Sequence, residues 1–116
     1  MPALSYKARF APLVESGQKR QTIRARRKRE FKIGDRLYHY TGMRTKACRK
    51  LLENECCQAL DIMIDGVVVV IDHGIPLDAD QRHMLARADG FKSYAEMEKW
   101  FGETHGFPFS GQLIAW

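Results

Sequence analysis

The chain has 116 residues, of which 45% are hydrophobic and 28% charged, and its formal net charge is +5. This length and composition are typical of one folded domain, residues 1–116, and they exclude a disordered chain. The longest apolar run, Ile62 to Ile71, is interrupted by Asp65 and is shorter than the ~20 residues of a membrane-spanning helix. The N-terminus lacks the apolar core of a signal peptide, so we expect a cytoplasmic protein with no membrane partner.

The charge is divided unevenly along the chain. Residues 1–50 hold 15 Lys and Arg against 3 Asp and Glu, whereas residues 51–116 hold 4 against 11. A basic half next to an acidic half is typical of a protein that binds a polyanion. We therefore expect a nucleic acid or a nucleotide as the ligand.

Period-two alternation, β-branched runs and turn dipeptides such as Asp65-Gly66 divide most of the chain into short strands. The predicted strands are residues 4–10, 21–26, 37–41, 47–52, 56–64, 67–71 and 113–116. Pro12 to Ser16 fits a short helix that Gly17 ends. The β-branched run from Val67 to Ile71 predicts a strand buried on both faces. Several short strands separated by turns favour a barrel.

Two helices are predicted before the final strand. A capping box that starts at Asp78 begins the first helix and Gly90 ends it, and a second capping box starts at Ser93. We interpret as core packing the apolar stripe of the second helix, which consists of Met97, Trp100 and Phe101. Helices that follow a strand-rich segment indicate the α+β class.

The cysteines and histidines show no metal-binding pattern. Cys48, Cys56 and Cys57 form no Cys-x-x-Cys pair, and the four histidines are scattered. We expect reduced cysteines that pack in strands as small apolar residues, and neither a metal nor another cofactor.

The segment Gly17 to Arg24 holds reactive side chains at fixed offsets. It reads Gly-Gln-Lys-Arg-Gln-Thr-Ile-Arg, and the basic run Arg26 to Arg29 follows it. In a strand, Thr22 and Arg24 point to the same face. The neighbouring arginines and burial in a cleft disfavour the ammonium form of Lys19, and a neutral lysine can act as the base for a threonine hydroxyl.

Cations and aromatic residues around this segment predict a nucleic-acid surface. Clustered Lys and Arg bind backbone phosphates with release of counterions. Tyrosines of the following strand are candidates for base stacking, although tyrosines in strands are also common in half-buried structure. The predicted ligand-binding residues are Gly17, Arg20, Arg24, Arg26, Arg27, Lys28, Arg29, Tyr38 and Tyr40.

These motifs resemble the ASCH family, within the PUA-like group of small β-barrels. The family pattern Gly-x-Lys-x-x-(Glu or Thr)-x-Arg is matched by Gly17, Lys19, Thr22 and Arg24. Further matches are Phe31, the Gly34-Asp35 turn, the segment Ala86 to Phe91 and the final strand opened by Phe109. The resemblance covers nearly the whole chain. It implies an α+β fold, a PUA-like (ASCH) small β-barrel with short helices packed around it, and a cleft that binds RNA or nucleosides.

The resemblance implies three alternative functions. We expect a protein that binds RNA or a nucleoside-like or nucleotide-like ligand in a basic cleft lined by Lys19, Thr22, Arg24 and Asp89. The first alternative is an amidohydrolase of N4-acetylcytidine-like nucleosides, and the second is a ribonuclease. For the amidohydrolase, the family's lysine base and threonine nucleophile fall on Lys19 and Thr22, and its acidic glutamate falls on Asp89, which is one methylene shorter. A ribonuclease would use Lys19 and Arg24 on the scissile phosphate.

The shape of the site distinguishes these alternatives. An amidohydrolase predicts a small, closed pocket on which Lys19, Thr22 and Asp89 converge. A protein that binds a polymer predicts an open groove continuous with Arg26 to Arg29.

Overall fold

The computed structural model describes residues 3–116, in which seven strands and three helices are formed. The elements are β1 (Ala3–Tyr6), α1 (Ala11–Ser16), β2 (Gln21–Ala25), β3 (Arg36–Thr41), β4 (Arg49–Glu55), β5 (Gln58–Asp65), β6 (Val68–Ile71), α2 (Ala79–Ala88), α3 (Tyr94–Thr104) and β7 (Phe109–Ala115). The predicted α+β class is confirmed. Within the described residues, no helix is long and apolar enough to cross a membrane.

Several predicted strand boundaries are wrong, including that of the last strand, which begins at Phe109 and not at residue 113. β1 ends at Tyr6 because the chain turns immediately afterwards, where the Phe10 N–H donates to the Lys7 carbonyl at 2.9 Å. β4 continues through residues 53–55, the polar stretch predicted to separate two strands. The connection to β5 lies instead at Cys56 and Cys57.

The cysteines are free thiols but do not lie in strands as predicted. Cys48 immediately precedes β4, and Cys56 and Cys57 lie between β4 and β5. Cys56 alone is buried, so it is the one thiol that packs as a small apolar residue.

The strands form two sheets. The first has the order β1-β3-β4 and the second the order β2-β7-β5-β6, and all neighbours are antiparallel except β1 and β3. β1 and β2 are both edge strands, and no ladder of the described residues joins them. A closed barrel is therefore not formed, and a seam remains between β1 and β2.

β6 is an edge strand and not the strand buried on both faces that its sequence predicts. Val69 is fully buried, whereas Val68 is 41% exposed. The β-branched run reflects the preference of valine for extended backbone, which an edge strand also uses.

The core lies between the sheets and the helices. Its largest fully buried side chains include Leu37, Ile62, Ile64, Met97, Phe101 and Ile114. Met97 and Phe101 are core residues as predicted. Trp100 is only half-buried, and its contacts belong to the site described below.

Gly111 allows β7 to approach β2 closely. A Cβ atom at Gly111 would lie 2.1 Å from the Arg24 carbonyl oxygen. We expect Gly111→Ala to separate the strands and to lower the free energy of unfolding by about 1–3 kcal/mol, measured by urea denaturation. Ser110→Ala, at the exposed neighbouring position, is the control, and equal stability of the two variants would contradict this prediction.

Candidate active site

A cleft of about 240 Å³ occupies the seam between the edge strands β1 and β2. Its polar lining consists of Ser5, Tyr6, Lys7, Lys19, Thr22, Arg24, Asp89, Thr104 and His105. Its apolar lining consists of Phe10, Ile23, Ala25, Phe91 and Trp100. The cleft is thus bounded by both sheets and by the helical segment at the end of the chain.

The three residues predicted to be catalytic all line this cleft. Lys19, Thr22 and Asp89 are 3%, 4% and 5% exposed, so each is almost fully removed from solvent. Lys19 and Asp89 are 70 positions apart in the sequence, and the fold alone brings them together. The side chains of the three residues thus converge on one cleft.

Lys19 enters the cleft because α1 ends abruptly. Gly17 has the left-handed conformation (φ 82°) that favours glycine and ends α1, and the Lys19 N–H donates to the Leu13 carbonyl at 2.9 Å. These two features turn the chain from α1 into β2. Gly17 itself is exposed and does not line the cleft, so it shapes the turn and is not among the residues that line the predicted ligand site.

Asp89 reaches Lys19 because α2 ends against α1. The Asp89 N–H donates to the Leu85 carbonyl at the end of α2, and Gly90 follows with a φ of 98°. A Cβ atom at Gly90 would lie 2.9 Å from the Phe10 ring. Glycine is therefore required for both the turn and the close approach to Phe10.

Lys19 and Asp89 form a buried ion pair. The Lys19 Nζ donates to the backbone carbonyl of Asp89 at 2.5 Å and lies 3.2 Å from Asp89 Oδ1. The second contact has an ion-pair distance but lacks hydrogen-bond geometry, and within residues 3–116 neither Oδ1 nor the buried Gln21 Nε2 has a hydrogen-bond partner. Both atoms are buried and both belong to the surroundings of one carboxyl group, since the Gln21 side chain, like Lys19, lowers the pKa of Asp89 against the effect of burial.

Burial favours the neutral forms of both members of the pair. It raises the pKa of Asp89 to about 6, although the nearby charges of Lys19 and Arg24 act in the opposite direction. Burial also lowers the pKa of Lys19, against the influence of the Asp89 carboxylate. Transfer of one proton converts the ion pair into an amine and a carboxylic acid, which are a base and an acid in the same cleft.

Thr22 and Arg24 lie on the same face of β2, as the alternation of side chains predicts. They pair with Ile114 and Gln112 of β7, and the Arg24 Nε donates to Thr22 Oγ1 at 3.0 Å. Since Oγ1 accepts this bond, its own hydrogen remains available to a base. The Arg24 guanidinium lies over the Tyr6 ring, with its Cζ atom 4.9 Å from the ring centroid.

An aromatic group, which consists of Phe10, Phe91, Trp100 and His105, completes the lining of the cleft. The Trp100 ring lies 5.8 Å from that of Phe91 and 5.7 Å from that of His105. The interpretation of Trp100 as core packing is therefore wrong in part. Burial lowers the pKa of His105, which favours the neutral ring. Sequence reasoning missed the other three residues, which lie on separate segments and share no spacing.

The predicted stacking residues Tyr38 and Tyr40 do not line the cleft. Both lie on β3 on either side of His39, which is fully buried. Side chains alternate along a strand, so the two tyrosines point to the opposite face of the first sheet. Base stacking by these two tyrosines stays a prediction, for a ligand outside the cleft.

The basic run Arg26 to Arg29 and Arg20 also lie outside the cleft. Arg26 forms ion pairs with Glu30 and Asp61, and the Arg27 guanidinium lies 4.8 Å from the centroid of the Phe31 ring. Of the predicted ligand-binding residues, Arg24 alone lines the cleft. The site is therefore a small pocket and not a groove continuous with the basic run.

No family model, curated protein or solved structure matches this chain. The ASCH resemblance therefore stays a prediction. The described residues contain no group of three or more His, Cys, Asp or Glu side chains that could hold a metal ion.

Proposed function

We propose that the protein is an amidohydrolase of the ASCH family that removes an acyl group from the amino group of an aromatic heterocycle, as in N4-acetylcytidine. The observation that carries the proposal is the convergence of the buried side chains of Lys19, Thr22 and Asp89 on one cleft. At about 240 Å³, the cleft is smaller than the roughly 300–1,000 Å³ of sites for drug-sized ligands. It fits one nucleoside-like group better than a length of polymer.

The PUA-like fold belongs to the same proposal. A site in the seam between β1 and β2 agrees with a barrel that is left open where its ligand binds. The contact between Lys19 and Asp89 agrees with the family's placement of its lysine and its acidic residue in one cleft.

The first half of the reaction forms an ester on Thr22. The neutral amine of Lys19 takes the proton of the Thr22 hydroxyl, and Oγ1 attacks the amide carbonyl carbon. The C–N bond breaks as the Asp89 carboxyl group donates its proton to the leaving nitrogen. This step leaves an acyl ester on Thr22, a lysine ammonium and an aspartate carboxylate.

The second half restores the site. The Asp89 carboxylate takes a proton from water as the water oxygen attacks the ester carbonyl, and the Lys19 ammonium returns a proton to Oγ1 as the C–O bond breaks. The acid product leaves, and both members of the pair regain their neutral forms. Arg24 holds Oγ1 through its Nε, and its remaining donors can stabilise the oxyanion.

The aromatic group supplies affinity for the heterocycle. Stacking of a base on an aromatic side chain contributes ~1–3 kcal/mol, and Trp100 is the largest ring in the lining. In this proposal the amide of the substrate lies beside the pair formed by Lys19 and Asp89. Ring and amide are thus recognised by different parts of the cleft.

The geometry favours the amidohydrolase over the ribonuclease. A ribonuclease would place a scissile phosphate at Lys19 and Arg24. The Lys19 Nζ already donates to the Asp89 carbonyl at 2.5 Å and lies 3.2 Å from Asp89 Oδ1, so it is directed at Asp89 and not at a phosphate.

The proposal is tested by incubation of the purified protein with N4-acetylcytidine, with cytidine separated by reverse-phase chromatography. We expect turnover by the wild type and a loss of at least about a thousandfold in Lys19→Met, which lacks the base. Lys99→Met, at an exposed position of α3, is the matched control. No turnover by the wild type, or turnover that Lys19→Met leaves unchanged, would exclude the proposed function.

RNA binding at a separate surface is a second candidate function, because Arg27, Lys28 and Arg29 are exposed and form no ion pair among residues 3–116. We expect affinity for single-stranded RNA to fall with salt. When the three cations are changed to Gln, the slope of log affinity against log salt should become shallower by about 0.7 for each phosphate that is no longer neutralised. The control changes three exposed cations of the acidic half, Arg87, Lys92 and Lys99, to Gln. An unchanged salt slope would count against this surface.

A further inference from the structure

A network of hydrogen-bonded polar side chains crosses the first sheet next to the cleft. His39 of β3 lies 2.8 Å from Asn54 Oδ1 of β4 through its Nε2, and its Nδ1 lies 2.9 Å from the Tyr6 hydroxyl of β1. Because Asn54 Oδ1 is an acceptor, the ring proton is assigned to Nε2 and the Tyr6 hydroxyl donates to Nδ1. All three strands of the sheet therefore contribute one member.

This hydrogen-bond network reaches the cleft through Tyr6. The Tyr6 ring lies under the Arg24 guanidinium, and the Arg24 Nε donates to Thr22 Oγ1. Asn54 and His39 do not line the cleft, whereas Tyr6, Arg24 and Thr22 do. A continuous series of contacts thus leads from Asn54, on the far strand of one sheet, to the Thr22 hydroxyl on the edge strand of the other.

Packing around His39 holds the members of this hydrogen-bond network in place. The His39 ring is fully buried and packs on Tyr6 and on Trp116, with ring centroids 5.7 Å and 4.4 Å away. Burial lowers the pKa of His39 and raises that of Tyr6, so both groups remain neutral and the direction of their hydrogen bond is kept. A buried polar network of this kind defines one orientation for each of its members.

We propose that Asn54, His39 and Tyr6 are positioning residues that fix the Arg24 guanidinium and, through it, the orientation of the Thr22 hydroxyl. The proposal deepens the proposed function and rests on it only for its catalytic consequence. None of the three residues takes part in proton transfer. Their loss leaves Lys19, Thr22 and Asp89 in the cleft but allows Arg24 and Oγ1 to take several orientations.

The test is the order of the Arg24 Nε–H group, measured by 15N relaxation in the full chain. We expect an order parameter of about 0.85 in the wild type and below about 0.6 in Tyr6→Phe and Asn54→Leu. Asn54→Asp retains an acceptor for Nε2 and should retain the order of Arg24. Tyr94→Phe is the matched control, because it removes a buried hydroxyl that donates to the Gly66 carbonyl outside the cleft.

An Arg24 group that stays ordered in Tyr6→Phe and Asn54→Leu would overturn the proposal. Should Asn54→Leu fail to fold, Tyr6→Phe decides alone, since it keeps the ring beneath Arg24 and loses only the hydroxyl. An Arg24 group that is equally mobile in Tyr94→Phe would also overturn the proposal, because the effect would then follow from the removal of any buried hydrogen bond.

Turnover of N4-acetylcytidine tests the catalytic consequence. We expect kcat to fall about tenfold in Tyr6→Phe and Asn54→Leu with little change in KM, because the residues that contact the heterocycle remain. If the wild type shows no turnover, the proposed function fails and the order of Arg24 still decides this inference. Loss of Arg24 order with an unchanged kcat would overturn the catalytic consequence.

Discussion

We expect Lys19→Met to lose stability as the pH rises from about 5 to about 8, by about 3–5 kcal/mol relative to the wild type at the upper end. The buried Asp89 carboxyl group already has a pKa raised to about 6, and the Lys19 ammonium opposes this rise. Without Lys19, Arg24 is the remaining cation that lowers the pKa of Asp89, so that pKa rises further.

The direction in which stability changes with pH follows from proton binding. A carboxyl group whose pKa is higher in the folded state binds its proton more tightly there, so it stabilises the fold fully below its unfolded value of 3.8. This contribution is lost as the pH rises through the folded-state pKa. At about pH 8, folded Lys19→Met must either keep the Asp89 carboxyl group protonated or bury a carboxylate without its lysine partner, and each of these lowers its stability.

Urea denaturation at about pH 5 and about pH 8 measures this effect, with Lys99→Met as the control. The double variant Lys19→Met/Asp89→Leu has no buried carboxyl group, so its stability should lose the additional pH dependence. A Lys19→Met protein whose stability changes with pH as the wild type does would show that Lys19 does not compensate the charge of Asp89.

Local patterns predicted the β2 half of the site, because the residues that matter there are close in sequence. The alternation of side chains placed Thr22 and Arg24 on one face, and the caps of α2 placed Asp89 at a helix end. The resemblance then assigned Lys19 and Asp89 to one cleft, which no local rule could do across 70 positions.

The rest of the cleft depends on packing between segments that are distant in sequence. Phe10 precedes α1, Phe91 lies between α2 and α3, and Trp100 and His105 lie in α3 and at its C-cap, so no single periodic pattern connects the four. Likewise, each strand pattern is compatible with an open or a closed sheet, since the partner of an edge strand is set by the whole fold. The strand patterns therefore could not predict the seam between β1 and β2.

Tyr38 and Tyr40 illustrate a second limit. Alternation correctly indicates that they share a face of β3, but it does not state which face is turned to the cleft. His39, between them, is the residue that points inward. A shift of one residue exchanges the two faces of a strand. Because the buried residue here is a histidine and not an apolar residue, the alternation does not reveal which face of β3 is buried.

We expect Thr22→Val to reduce turnover of N4-acetylcytidine by more than about a thousandfold, because it removes the nucleophile. Valine has nearly the shape of threonine and a similar preference for strands, so β2 should be retained. The Arg24 Nε loses its acceptor at this position, and we expect a decrease of about 1 kcal/mol in the free energy of unfolding. Initial rates and urea denaturation measure the two effects separately.

Thr22→Ser is the matched control, because it keeps a hydroxyl at the position that accepts from Arg24 and should retain most of the activity. Mass spectrometry of rapidly quenched reactions should detect an acetyl group on the wild type and on Thr22→Ser, and none on Thr22→Val. A Thr22→Val protein that still turns over the substrate would assign the attack on the carbonyl to water. Lys19 and Asp89 would then be the base and acid of a direct hydrolysis, and Arg24 would orient the water in place of the threonine hydroxyl.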